Sequence, residues 1–134
     1  MSTSRIIYRG DLRTESTHLQ SGTVILTDAP TDNHGRGEAF SPTDMVANSL
    51  ATCMFSIMGI KANSLNVNLV GSVAEVTKVM QAEPRKIAEI IVVFEMKGVS
   101  EEKTRTILER VAMTCPVFLS LNPDIVKTIT FNWN

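Results

Sequence analysis

The sequence predicts one α+β domain spanning residues 1–134, with antiparallel strands opening and closing the chain around a central buried helix. Three observations predict it. Residues 6–27, 66–97 and 124–133 are rich in β-branched side chains and largely alternate polar with apolar positions. The run from Met45 to Ala62 is apolar on almost every side, as a helix enclosed by other elements would be. Turn formers cluster between these stretches, and 134 residues suffice for one domain with a real core.

Taken in order, "RIIYRGDLRTESTHLQSGTVILTDAP" is punctuated by Gly10 and by Ser21-Gly22, which predicts two strands, residues 6–15 and 23–27. "DAPTDNHGRGEAF", residues 28–40, has no periodicity and reads as an exposed loop, a place where function often resides. "SPTD" then starts a helix: Ser41 is the N-cap, Pro42 the first helical residue, and Asp44 the acid of a capping-box-like arrangement. The helix runs to about Ala62. Met45, Leu50, Met54, Phe55, Ile57, Met58 and Ile60 cover most of its circumference, more than one small monomer can wrap.

A hairpin follows, from "NVNLVGSVAEVTKVMQ" (66–81) through "QAEPRK" to "IAEIIVVFEMK" (87–97). Ala88, Ile90, Val92, Phe94 and Met96 form its apolar face, with Glu89 and Glu95 on the other. Such long strands reach beyond their own subunit and point to an obligate homodimer. "SEEKTRTILERVAMT" (100–114) predicts a helix capped by Ser100, with Thr104, Ile107, Leu108, Val111 and Cys115 on one inward stripe. Pro116 breaks it and starts a short helix in "CPVFLSL". "DIVKTITFNW" (124–133) is the last strand.

Thirteen Lys plus Arg against fourteen Asp plus Glu leave a net charge of -1, which argues against a nucleic-acid or anionic-membrane partner. The first residues contain no apolar signal-like segment, and polar residues interrupt Met45 to Ala62 too often for a span, so a cytoplasmic protein is expected. The two cysteines, Cys53 and Cys115, are far too distant in sequence for a C-x-x-C motif. With only His18 and His34 besides them, neither a metal site nor a resident cofactor is expected.

Those cysteines are either inert packing residues or a reactive pair. The backbone N–H groups of the turn after Pro116 point toward the Cys115 sulfur and are expected to favour its thiolate. Cys53 lies about 16 Å along its helix from the helix start, too far for help from the helix dipole. Its apolar surroundings raise a thiol pKa, so a functional Cys53 needs a cation from elsewhere, and Arg13 and Arg36 are the candidates.

"FSPTDMVANSLATC" followed much later by "TCPVFLSL" resembles the OsmC/Ohr family, the osmotically induced and organic-hydroperoxide-resistance proteins. The likeness extends through the whole order of elements. It implies an OsmC-like fold, an intertwined homodimer whose curved antiparallel sheets wrap the central cysteine helices. It also implies a thiol-dependent peroxidase: Cys53 matches the peroxidatic cysteine, Cys115 the resolving one, and Arg13 the arginine that holds the thiolate. The expected substrate is an organic hydroperoxide, the expected reductant an external dithiol, with no bound cofactor. The family carboxylate directly follows the helix-starting proline, where this chain has Thr43; the candidate for its catalytic role is Asp44, one step later and turned by about 100°, which otherwise serves only as a cap. An alternative is a non-catalytic relative that binds an apolar small molecule between subunits. A hydrolase pairing Cys53 with His34 is a more distant one, since no residue is placed to orient that histidine.

Overall fold

A computed structural model describes residues 1–134. The chain forms two compact units, Met1–Val46 and Ala47–Asn134.

The first unit is an antiparallel sheet of β1 (Ser4–Gly10), β2 (Arg13–His18) and β3 (Val24–Asp28) in that order. The single strand expected over residues 6–15 is instead a hairpin. Gly10, Asp11 and Leu12 take φ of 86°, 51° and 63° and reverse the chain. Glycine enters that region at no steric cost, and aspartate enters it more readily than most residues. Leu12 has no such local reason, which is why the sequence reads as a continuous strand. Residues 29–40 form a mostly exposed loop with one 3-10 turn at Thr31–Asn33. The Asp28 N–H donates to the Phe40 carbonyl at 3.1 Å, and the Ala29 N–H to that of Leu12 at 3.1 Å, which fixes both ends of the loop. No apolar side chain of this unit is buried, and Ile6, Tyr8 and Val24 stand half exposed or more.

Helix α1 (Pro42–Ser64) starts as the capping signal predicts: Asp44 N–H donates to Ser41 Oγ, and Ser41 N–H to Asp44 Oδ2, both at 3.0 Å. Ala47, Leu50, Ala51, Met54, Met58 and Ala62 recur at helical spacing and are buried. The all-round burial expected for this helix is not met within one chain. Val46 and Ile60 remain exposed, and Cys53 and Ile57 are half buried.

The second unit carries a mixed sheet, β4 (Val73–Gln81), β5 (Lys86–Met96) and β6 (Val126–Trp133), in the order β4-β5-β6. Residues 66–72 belong to a turn rather than to the strand expected there, with Asn66 and Gly71 at positive φ. The β4–β5 pair is an antiparallel hairpin; β6 lies parallel to β5 because α2 (Glu102–Ala112) and α3 (Pro116–Ser120) carry the chain back across the sheet. Helix α2 starts later than predicted, with Glu101 rather than Ser100 at its N-cap and no side-chain cap bond. The predicted apolar face of β5 is buried at Ile90, Val92, Phe94 and Met96. Ala88 is not part of that buried row. A bulge between Val79 and Met80 opposes one extra β5 residue, and beyond it Ile87 turns into the core instead.

The centre of this core is aromatic. Phe94 meets Phe55 of α1 edge to face and stacks on Phe131 of β6, each with ring centroids 4.9 Å apart. Leu108 and Ala112 of α2 complete it, together with Cys115.

Candidate active site

Cys53 and Cys115 meet within the second unit. The apolar stripe of α1 sets the position of Cys53, and the break before Pro116 sets that of Cys115, whose extended backbone (φ -65°, ψ 145°) makes it the N-cap of α3. Its sulfur accepts the Phe118 N–H at 3.3 Å, the contact that the Cys-Pro sequence leads one to expect. The expected consequence, a favoured thiolate, does not follow. Burial raises the Cys115 thiol above its ordinary value and outweighs the N–H groups of Phe118 and Val117; the adjacent Cys53 side chain pushes the same way. Both cysteines are free thiols. They differ in access: Cys115 has no exposed surface, whereas Cys53 is only partly buried. A reagent from solution therefore meets Cys53 first.

The first unit holds an arginine site. Arg13 lies directly across from Asp28 in the β2–β3 register. The two form a bidentate pair, with Nε donating to Oδ1 and Nη2 to Oδ2, each at 2.7 Å. Nη2 also donates to Glu38 Oε1 at 3.2 Å, and the Glu38 N–H donates to Asp28 Oδ2 at 3.2 Å. On the next pair of positions the hydroxyls of Thr14 and Thr27 bond to each other, so the strand ends are tied on both faces. Asp28 is fully buried, and Arg13 keeps about a quarter of its side-chain surface, 23%.

The hydrogen bonds from Arg13 hold the Asp28 carboxyl below its usual pKa, and the same pair raises that of Arg13. A carboxylate whose folded pKa is depressed contributes stability above its unfolded pKa, and that stability is lost as pH falls through the folded value. Acid titration of the unfolding free energy from pH 6 to 2 should show this loss. Asp28→Asn is expected to give a shallower slope below pH 4 than the parent chain; an unchanged slope would remove Asp28 from the acid transition.

The remaining candidates fall outside these two clusters. Arg36 pairs with Asp11 at 3.0 Å on the surface, where Asp11 is 83% exposed and screening leaves the bond little strength. Of the two candidate arginines, Arg13 is thus the one held in a built site. Asp44 sits in the capping box with Ser41, and the Thr43 hydroxyl lies 3.2 Å from Ser41 Oγ. His34 is exposed in the loop at φ 67°. Sequence reasoning missed Asp28 and Glu38. Asp28 could have been found from an acid ending an apolar strand, "VILTD", but only once β2 and β3 are paired in register does it face Arg13.

The sequence model of the family OsmC, OsmC-like protein, matches residues 35–130. The chain belongs to this OsmC-like family. A proposed osmotic stress induced and detoxification response protein of Psychrobacter arcticus 273-4 has a crystal structure with TM-score 0.95 and 48% identity, covering 98% of this chain and 96% of that one. Two more distant members share the OsmC-like fold. An organic hydroperoxide resistance protein OsmC of Legionella pneumophila matches at TM-score 0.72 and 16% identity over 98% of both chains. One from Elizabethkingia anophelis, with thiocyanate bound, matches at TM-score 0.72 and 15% identity over 100% of this chain and 98% of its own. No curated protein sequence matches the chain.

Proposed function

We propose that this OsmC-like protein is a cysteine-based peroxidase that reduces organic hydroperoxides to alcohols. The observation that carries the reading is the juxtaposition of Cys53 and Cys115, two thiols remote in sequence, one reachable and one enclosed. The organic hydroperoxide resistance proteins among its structural neighbours support the same chemistry.

The Cys53 thiolate attacks the terminal oxygen of the hydroperoxide; the O–O bond breaks, the alcohol leaves after taking up a proton, and the sulfur is oxidised by two electrons to a sulfenic acid. Cys115 sulfur then attacks the sulfenic sulfur, and its proton leaves with the displaced hydroxide as water. This order suits a buried thiol whose pKa is raised: Cys115 stays protonated and shielded from peroxide until an electrophilic sulfur stands beside it. An external dithiol reduces the resulting disulfide by exchange, and no bound cofactor takes part. On the family resemblance, Arg13 is the arginine that takes part in this reaction. The apolar residues packed against the same core as the pair, among them Val111, Val117 and Phe118, favour an alkyl hydroperoxide over hydrogen peroxide, since each Å² of apolar surface buried contributes about 25 cal/mol.

The reading also assigns the protein to the cytoplasm, where the thiols stay reduced, and to a homodimer without nucleic-acid or membrane partners. The exposed Ile6, Tyr8, Val24 and Ile60 support a second copy as the cover for these apolar side chains.

Cys115→Ser tests the assignment of roles. One equivalent of cumene hydroperoxide should still oxidise Cys53, now stopping at a sulfenic acid that dimedone traps at about one per chain, while turnover with dithiol slows or stops. Trapping on Cys115 in a Cys53→Ser chain at a comparable rate would reverse the two roles.

A further inference from the structure

Strand β6 carries a lysine where its pattern calls for an apolar residue. Lys127, Ile129, Phe131 and Trp133 share one face, and the last three pack against the core, while Val126, Thr128, Thr130 and Asn132 face outward and are exposed. A branched apolar residue at 127 would bury more apolar surface, whereas a lysine on this face must lead its ammonium to a partner. It finds two, both on the segment that follows Cys115. Lys127 Nζ lies 5.5 Å from the centroid of the Phe118 ring, within cation–π range, and donates to the Asn122 carbonyl at 3.2 Å. The same carbonyl accepts the Ile125 N–H at 3.0 Å, so Lys127 also fastens the turn between α3 and β6.

Helix α3 needs such a tie. It has five residues and buries none of them, too few to hold a helix without help from its surroundings. Its first turn is held at Cys115, whose sulfur accepts the Phe118 N–H at 3.3 Å. The residue that gives its N–H to the thiol is thus the one whose ring lies under the lysine. We infer that Lys127 is a positioning residue for Cys115: by holding Phe118 and Asn122 it fixes α3, and with it the line along which the enclosed sulfur approaches Cys53. The inference deepens the proposed function and rests on its assignment of Cys115 as the thiol that closes on a modified Cys53. All these residues lie in the second unit. A displacement of about 1 Å at a reacting group costs on the order of a hundredfold in rate, so a looser α3 shows in the closing step and not in the first reaction of Cys53.

The test uses the full, reduced chain and dithiodipyridine, which reads the closing step without peroxide. The Cys53 thiolate attacks the reagent's S–S bond, releasing one pyridinethione and leaving a mixed disulfide. Cys115 then attacks the Cys53 sulfur, giving up its proton, and the second pyridinethione leaves as the internal disulfide forms. Both releases are followed by absorbance, and Cys115→Ser identifies the second by its absence. Lys127→Met keeps an unbranched apolar stem on Phe118 but has no ammonium. It is expected to leave the first release within twofold of the parent, to slow the second about tenfold, and to keep or raise the melting temperature. Lys127→Arg restores a cation and a donor and should recover most of the second rate. A second release within twofold of the parent in Lys127→Met overturns the inference, as does a lower melting temperature with both releases slowed alike, the mark of a merely structural lysine. Lys127→Gln, also without the cation, carries the same expectation if Lys127→Met folds poorly. Because no peroxide enters, failure here is distinct from failure of the peroxidase reading, which the parent chain's reaction with cumene hydroperoxide tests.

Discussion

Cys53→Ser is expected to lower the rate of organic-hydroperoxide consumption by about a thousandfold or more, to the level of the uncatalysed reaction with dithiol. The size of the effect follows from the chemistry. A thiolate is a strong nucleophile toward peroxide oxygen and can be oxidised to a stable sulfenic acid, whereas a serine hydroxyl is neither ionised at neutral pH nor able to take up the oxygen. Cys115 does not substitute for it, being enclosed and held as the thiol. Stability should barely change, since Cys53 is only half buried and serine is nearly isosteric. A coupled assay following dithiol consumption, with melting temperature as the control for folding, checks both statements. A variant retaining a tenth of the parent rate would place the chemistry elsewhere.

The largest effect on stability is expected at Phe94. Its ring is fully buried between Phe55 and Phe131 at 4.9 Å from each, so it joins α1, β5 and β6 in one stack. Phe94→Ala removes that ring and leaves a cavity which two stiff aromatic neighbours cannot close, for a cost of about 3–5 kcal/mol. Domains are marginally stable, at about 5–15 kcal/mol, so the variant should unfold at far lower urea or fail to accumulate. Phe131→Ala, at a residue only partly buried, should cost less. Equal midpoints for the parent and Phe94→Ala in urea would show that the aromatic stack does not carry the second unit.

Most of the frame was legible because its signals are local. Ser41, Pro42 and Asp44 mark the start of α1 through a capping box that needs only four residues. Pro116 both ends one helix and begins the next, and strict alternation from Ile90 to Met96 gives the buried face of β5. Where reading failed, the cause was geometry that no local signal reports. Leu12 at positive φ makes a hairpin inside an apparently continuous strand. The bulge opposite Val79 and Met80 exchanges Ala88 for Ile87 in the core.

The site shows the same division. Cys53 and Cys115 stand out by residue type, but their meeting depends on the packing of α1 against the elements after β5. The direction of the Cys115 shift is a balance between one N–H contact, which a Cys-Pro sequence implies, and desolvation, which only the folded core determines. Arg13 became preferable to Arg36 through their partners: a buried carboxylate for one and an exposed aspartate for the other. Asp28 was hidden for the same reason, since its partner lies across a strand pair whose register the sequence does not state.

The most direct measurement is a free-thiol count on the fully reduced chain after one equivalent of cumene hydroperoxide, with hydrogen peroxide in parallel. The peroxidase reading predicts rapid loss of both thiols with the organic peroxide, slower loss with hydrogen peroxide, and no rapid loss in Cys53→Ser. Two thiols that survive the organic peroxide, or that react equally slowly with both oxidants, would contradict it and leave an OsmC-like fold that keeps its cysteines for packing around an apolar ligand.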